Sequence, residues 1–299
     1  MQALFAKAAL ARRAGRYEEA EAAYREWLAL EPENPAPAYG LSHLLLARGA
    51  FAEGWAMYEA RTEVPETGVK KPRLSFPEWR GEPIRSLLIW PEQGFGDQIM
   101  FARWVPEVVA RGVNVTLLTP PSLLRLFGDL GAAVMPAEGS VAIPRHDAWC
   151  LIGSLPHLVG TMPSAPYLKG SIGGRGVGVM PIGNPRQVND ANRSMPLGTA
   201  DELRQLGCDL APQVTGARDF EDTAEIIRGL ATVLTVDTSV AHLSGAMGKP
   251  TFVLLTHDAC WRWGSSDRSA LYPSARLIRQ PRPGDWEAVL RTLKGCAGL

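Results

Sequence analysis

Between two apolar runs, Val233–Val236 and Thr251–Leu255, the chain places a polar cluster, Asp237-Thr238-Ser239, with His242 four positions after Thr238. The intervening Ser239–Met247 has the composition of a helix. A helix that opens at the end of a buried strand turns its free main-chain N–H groups and the positive end of its dipole toward whatever lies beyond the strand, which is how phosphates are held. Thr238 and His242, four apart, are expected to share one helical face. Asp237, Thr238, Ser239 and His242 are therefore candidate diphosphate contacts. The competing role is an Asp/Thr helix cap followed by a core histidine. A second turn, Glu92-Gln-Gly-Phe-Gly-Asp97, follows the apolar run Ser86–Trp90. A carboxylate at the tip of a glycine turn can take the proton of an attacking hydroxyl, which makes Asp97 a candidate general base and Gly94 and Gly96 the frame of an acceptor-side turn. Its plainer role is to cap the helix expected at Gln98–Arg111.

Parallel sheets are what position such turns. After a proline-rich linker at 65–83, Ser86–Trp90, Val113–Leu118, Ala132–Met135 and Ala148–Ile152 alternate with helical stretches at Gln98–Arg111 and Ser122–Leu130. The pattern restarts at Gly176–Met180 and continues through a helix near Ala200–Leu206, a strand near Leu210–Val214 and a helix at Asp222–Leu230. Strand-helix alternation predicts parallel sheets. The domain plan is repeats at 1–64, linker at 65–83, a first α/β unit at 84–172 and a second at 173–299. Ligands of open parallel sheets bind beyond the carboxyl ends of the strands, so the two turns are expected to face each other across a cleft. Asn184 and Gln213, at or just after predicted strand ends, are candidate contacts for ribose, base or sugar hydroxyls, and Asn184 before Pro185 equally suits a turn. Arg193 offers a forked donor for phosphate, or an ion pair with Asp190.

The first seventy residues carry an internal repeat: Gly15/Gly49, Tyr17/Phe51, Glu19/Glu53 and Tyr24/Tyr58 match at an interval of 49 − 15 = 34 residues. That is the tetratricopeptide period. Small residues at Ala20 and Gly54 fall where paired helices approach closely, and the recurring aromatics are expected to pack the helix pairs. Two repeats are fewer than the three or so that stand alone, so they are expected to dock on the following unit, as a protein-binding surface or as a helical cap.

Composition excludes several classes. The 299 residues carry 31 Lys+Arg against 31 Asp+Glu, with no large basic run for nucleic acid or an acidic membrane. No stretch of 18 uncharged apolar residues occurs, and the first residues are interrupted by Lys7, Arg12 and Arg13, so a cytoplasmic protein without a membrane span is expected. Cys150, Cys208, Cys260 and Cys296 lack metal-ligand spacing and are expected to be free, buried thiols with no metal site.

Taken together, the 92–103 segment, Gly183-Asn-Pro185 with Asn189-Asp190 and Asn192-Arg-Ser194, Asp222-Thr-Ala224 and the 236–250 segment resemble bacterial glycosyltransferases of the heptosyltransferase type fused to tetratricopeptide repeats. Trp261-Arg-Trp263, Tyr272-Pro-Ser274, Arg279-Gln280 and Gly284-Asp-Trp286 are similar to that group's C-terminal signature. The resemblance implies an α/β two-Rossmann-domain glycosyltransferase fold with an N-terminal all-α repeat segment. It also implies a nucleotide-sugar donor held mainly by the second unit, no cofactor, and metal-independent inverting transfer with Asp97 as base. A protein or envelope-glycan acceptor, recruited partly by the repeats, is the expected partner. The chain departs from the pattern at Pro181-Ile-Gly-Asn-Pro185, Gln187-Val188 and Ala191, where aromatic or basic residues are expected. These changes weaken donor binding or leave a non-catalytic repeat scaffold with a degenerate transferase unit. Trp261 and Trp263 suit stacking on a sugar or base, or domain-interface packing.

Overall fold

A computed structural model describes residues 2–170, 173–187 and 189–297; Val188 and the predicted unit boundary at 172 lie outside the described residues. Four helices, α1 (Gln2–Arg13), α2 (Tyr17–Leu30), α3 (Pro35–Ala47) and α4 (Phe51–Tyr58), form two hairpins. Gly15 and Gly49, at φ of 70° and 85°, follow the first helix of each pair in the left-handed region that glycine enters without strain. The Asn34 side chain caps α3 by accepting from the Ala36 N–H at 3.0 Å, and Pro35 sits where a missing N–H leaves nothing unsatisfied. A Cβ on Gly54 would lie 2.8 Å from Leu46 Cδ2, so the helix crossing needs the glycine. Tyr24 and Tyr58 are buried and Phe51 packs on the core, but Tyr17 is 51% exposed. Helical side chains point back toward the N-terminus, so this first residue of α2 reaches past the helix end instead of into the pair.

The first α/β unit comprises β1 (Ser86–Trp90), α5 (Phe95–Phe101), α6 (Val105–Ala110), β2 (Asn114–Thr119), β3 (Ala133–Pro136), β4 (Ala148–Leu151) and α7 (Leu155–Val159). Its sheet is all parallel in the order β3-β2-β1-β4, with Leu87 opposite Val115 and Ala148. The second unit comprises β5 (Val177–Met180), α8 (Asp190–Arg193), α9 (Leu197–Arg204), β6 (Cys208–Asp209), α10 (Pro212–Thr215), α11 (Phe220–Gly229), β7 (Thr232–Val236), α12 (Ser239–Ala246), β8 (Thr251–Leu255), β9 (Ala275–Arg279) and α13 (Trp286–Ala297). Its five parallel strands run β6-β5-β7-β8-β9. The central strands are apolar on both faces because helices cover both sides.

Several elements differ from expectation. The helix predicted over Gln98–Arg111 is split by a 3₁₀ turn at Ala102–Trp104, because Pro106 has no N–H for the Ala102 carbonyl. Leu123, Leu126, Phe127 and Leu130 are buried at helical spacing, yet Leu124, Gly128 and Leu130 bond three residues back, and the segment is a chain of turns. The strand predicted at Leu210–Val214 is only Cys208–Asp209; Pro212 lacks a ladder donor and opens α10, which leaves Gln213 on an exposed helical turn. Of the four free cysteines, Cys150 is buried, but Cys208 on the edge strand and Cys296 in the last turn of α13 are exposed.

The repeats do dock. One core runs from Leu46, Trp55 and Tyr58 through Ile89, Ile99, Phe101 and Trp104 of the first unit to Val240, Trp261 and Trp263 of the second. Charge is buried in it as well. Arg61, fully buried after α4, donates from Nε and Nη2 to the Glu92 carboxylate at 3.1 and 2.8 Å and to Ser154 Oγ at 2.9 Å. Glu92 also accepts from the Gly153 N–H at 2.6 Å. Among the described residues no helix is long and apolar enough to cross a membrane.

Candidate functional site

Each sheet reverses its winding beside its first strand: β1 lies between β2 and β4, and β5 lies between β6 and β7. Crevices at such reversals, beyond the carboxyl ends, are where open parallel sheets bind ligands. In the second sheet a cavity of about 380 Å³ lies there, and Asn184, Arg193, Gln213, Thr238 and Ser239 line it together with the Met180–Pro185 loop. Thr238 ends the β7 turn in an extended conformation and bonds its hydroxyl to that of Thr235 at 3.1 Å; no side chain caps the first turn of α12. Arg193 donates from Nε to Asp190 at 3.0 Å and from Nη1 to the Asp237 carbonyl at 3.0 Å, so it forms the expected ion pair while bracing the β7 turn. Asn184 is exposed and its Oδ1 accepts from the Arg186 N–H at 3.0 Å, the turn role.

Asp237 and His242 do not line this cavity. Thr238 is the cap residue at φ −135° and ψ 174°, outside the helix proper, so the expected common face with His242 is not formed. His242 turns the other way. It is 4% exposed, bonds Nδ1 to the Tyr272 hydroxyl at 3.0 Å and stacks on Trp263 with ring centroids 5.0 Å apart. Burial pushes its imidazole well below the ordinary value, and Arg262, Arg103 and Arg193 act in the same direction, so it is neutral. Burial raises the Asp237 carboxyl, against the opposing pull of Trp263, Arg262 and Arg193.

The two predicted turns meet without an open gap. A Cβ on Gly96 would lie 2.8 Å from His242 Cδ2 and 3.5 Å from Ser239 Cα, so the N-terminal turns of α5 and α12 are in contact. Asp97 caps α5, which begins at Phe95, by accepting from the Gly94 N–H at 3.2 Å. Its other oxygen is ion-paired with Arg262.

Arg262 is the residue that sequence reasoning missed. Its guanidinium lies over Trp261, 4.4 Å from the ring centroid, and donates from Nη1 to Cys260 Sγ at 2.9 Å. The signal is an arginine between two tryptophans, Trp261-Arg-Trp263; both rings are buried, Trp263 completely. Arg262 also lines a second cavity of about 1110 Å³, between α1–α3 and the loops that follow β8 and β9. That cavity was not foreseen. The α8 segment divides the two spaces: Arg193 faces the smaller one, while Asn192 and Ser194 face the larger. Ser239, against Gly96, borders the smaller, and Arg262, on Asp97, borders the larger, so the Gly94–Asp97 turn lies between them. Among the described residues no group of three or more His, Cys, Asp or Glu side chains is placed to hold a metal ion.

Comparison with known proteins gives a limited placement. Residues 11–62 match the tetratricopeptide repeat. The chain is 24% identical over 312 aligned positions to Protein FlbA of Caulobacter vibrioides, an alignment covering 83% of this chain and 52% of that protein, so the chain spans about half the length of the curated relative it matches. No solved structure matches. The N-terminal segment is thus a tetratricopeptide repeat segment, joined to an α/β body with two parallel sheets.

Proposed function

We propose that this chain is a glycosyltransferase that moves a hexosyl or heptosyl group from a nucleotide-sugar donor to a protein or envelope-glycan acceptor recruited partly by the repeats. Transfer inverts the anomeric carbon and needs no metal. The observation that carries this reading is convergence: Asn184, Arg193, Gln213, Thr238 and Ser239 share one cavity at the winding reversal of the second sheet, in contact with the turn that carries Asp97. The donor diphosphate lies against the first turn of α12. As it departs it gains charge, which main-chain N–H groups, the Thr238 and Ser239 hydroxyls and Arg193 stabilise. Asp97 takes the acceptor proton; its carboxylate keeps lone pairs beyond those engaged by Gly94 and Arg262. His242 packs behind Gly96, and the Asp237 carbonyl accepts from Arg193.

Two observations favour the second reading, a non-catalytic scaffold with a degenerate transferase unit. Both Asp97 oxygens are engaged, and Ala191 stands where the resemblance calls for a basic residue. A panel of nucleotide sugars separates the two. The cognate donor at 100 times its dissociation constant is expected to stabilise the chain by about 2.7 kcal/mol in thermal unfolding. Asp97→Asn is expected to keep that stabilisation while lowering product formation by roughly 10²–10⁴-fold. Transfer at the wild-type rate would reduce Asp97 to a helix cap, and a panel in which no donor stabilises the chain would favour the scaffold.

A further inference from the structure

We propose that the larger cavity is the acceptor cleft and that it takes an acidic peptide segment. As a statement about an acceptor this rests on the transferase reading; as a statement about binding it does not. At about 1110 Å³ the space exceeds the roughly 300–1,000 Å³ usual for small-molecule sites. One wall is repeat helices and the other is the end of the second sheet, so an extended chain fits its shape better than a compact metabolite.

Its chemistry is that of donors in need of acceptors. Four guanidinium groups, from Arg12, Arg48, Arg262 and Arg279, line it against two carboxylates, from Glu21 and Asp258. Three of the four are neutralised: Arg12 by Asp258 at 3.7 Å, Arg48 by Glu21 and Arg262 by Asp97. Arg279 is different. Among the described residues it forms no ion pair, and its hydrogen bond is to the Gly264 carbonyl at 2.7 Å. Beside it, Gln280 is 3% exposed and accepts at Oε1 from the N–H groups of His257 and Gly284 at 3.3 and 3.0 Å, which fixes the amide and leaves Nε2 without a partner. The Gln280 amide thus fixes the loops after β8 and β9 that form this wall. Tyr17, drawn out of the repeat packing, adds an exposed aromatic wall.

A peptide complements this lining, with an acidic side chain on Arg279 and its main chain along the wall that Tyr17 and Gln280 hold. A hydroxyl side chain at the Arg262 end is then one guanidinium away from Asp97. In the transfer its oxygen bonds to the anomeric carbon, the bond from that carbon to the diphosphate breaks, the proton passes to Asp97 and the nucleoside diphosphate leaves.

The test is fluorescence anisotropy on the full chain with fluorescein-labelled hexaglutamate, with hexaglutamine and oligogalacturonate as comparison ligands. Hexaglutamate is expected to bind roughly tenfold or more tightly to wild type than to Arg279→Gln, the size of one lost charge-assisted contact. Arg279→Lys, which keeps the charge, retains binding, as does Arg218→Gln on an exposed arginine outside the cavity. Absence of hexaglutamate binding, equal binding of hexaglutamine, or indifference to Arg279→Gln overturns the proposal. Preference for oligogalacturonate overturns it in favour of a glycan. Thermal stabilisation by nucleotide sugars is measured on the same variants. If Arg279→Gln abolishes it, the cavity belongs to the donor and the proposal fails. If wild type shows no such stabilisation but Arg279-dependent hexaglutamate binding persists, the transferase reading fails and the peptide cleft stands.

Discussion

The two sheets are wound alike, yet their reversal points are filled differently. Beyond β5 and β7 the crevice is an open cavity lined by polar side chains. Beyond β1 and β4 the corresponding place is occupied by protein: Glu92 follows β1 and accepts from the Gly153 N–H after β4, and the Arg61 guanidinium from the repeats donates to both Glu92 and Ser154. Equivalent topology therefore does not give equivalent sites. The first unit uses its crevice to accept the repeats, and the turn left over, Gly94–Asp97, is presented to the second unit. The second unit keeps its crevice free.

The largest effect that sharpens this contrast is expected at Arg61. Removing its side chain in Arg61→Ala leaves Glu92, whose side chain is 2% exposed, as a buried carboxylate with no opposite charge and only the Gly153 N–H still donating to it, and such a loss is worth about 3–5 kcal/mol. Urea unfolding at neutral pH measures it. Exposed pairs such as Arg16–Glu19 contribute about 0–1 kcal/mol, so a change that small at Arg61 would mean the first crevice is not sealed by this pair. Deleting the repeats through Arg61 removes the clasp as well as any binding surface, so charge reversal at exposed repeat residues is the cleaner probe of recruitment.

A smaller effect is expected where the two turns touch. Gly96→Ala puts a Cβ 2.8 Å from the His242 ring, which is held by Tyr272 and stacked on Trp263 and has little freedom to retreat. Overpacking of this kind costs about 1–3 kcal/mol. At Gly94 the corresponding Cβ meets Asp97 Oδ2 at 3.5 Å, an ordinary contact, and Gly94 has φ −83°, so Gly94→Ala is expected to be nearly neutral. Thermal unfolding of the two variants side by side decides; equal effects would deny the close approach of α5 and α12.

What the sequence made legible was local. The 34-residue period, the strand-turn-helix pattern at both turns and the polar residues around the smaller cavity all follow from spacing along a few turns of chain, and the structure assembles them with modest shifts. Thr238 and His242, four apart, do not share a face, because the cap residue does not obey helical spacing. Leu123–Leu130 shows that burial at helical intervals can be met by turns. The pairing of Asp97 with Arg262, and the cleft between repeats and second unit, depend on segments distant in the chain. No periodicity encodes them; the repeats' orientation is set by the shared core and the Arg61 clasp, which only the folded chain reveals.

The smallest effect expected concerns the other side of the repeats, where the buried contact with the second unit is aromatic and the Arg12–Asp258 pair lies at its partly exposed edge. His43 stacks on Trp261 at a centroid distance of 5.9 Å and an interplanar angle of 19°, and its Nε2 is buried without a partner. Burial lowers its pKa from 6.5 to about 3, with Arg262 and Arg12 opposing protonation further. A histidine depressed in the folded state binds its proton first in the unfolded chain. Its stabilising share is therefore complete above pH 6.5 and is lost progressively as pH falls toward about 3. Between pH 7.5 and 5.5 one such histidine is expected to remove about 1 kcal/mol. His242, also depressed, titrates in the same sense, so the difference between wild type and His43→Phe isolates the share of the repeat contact. Unfolding curves at the two pH values should show a shallower pH dependence in His43→Phe. An unchanged dependence would mean that this ring is protonated as readily in the folded chain as in the unfolded one, and that the aromatic contact, unlike the Arg61 clasp, does not exclude water.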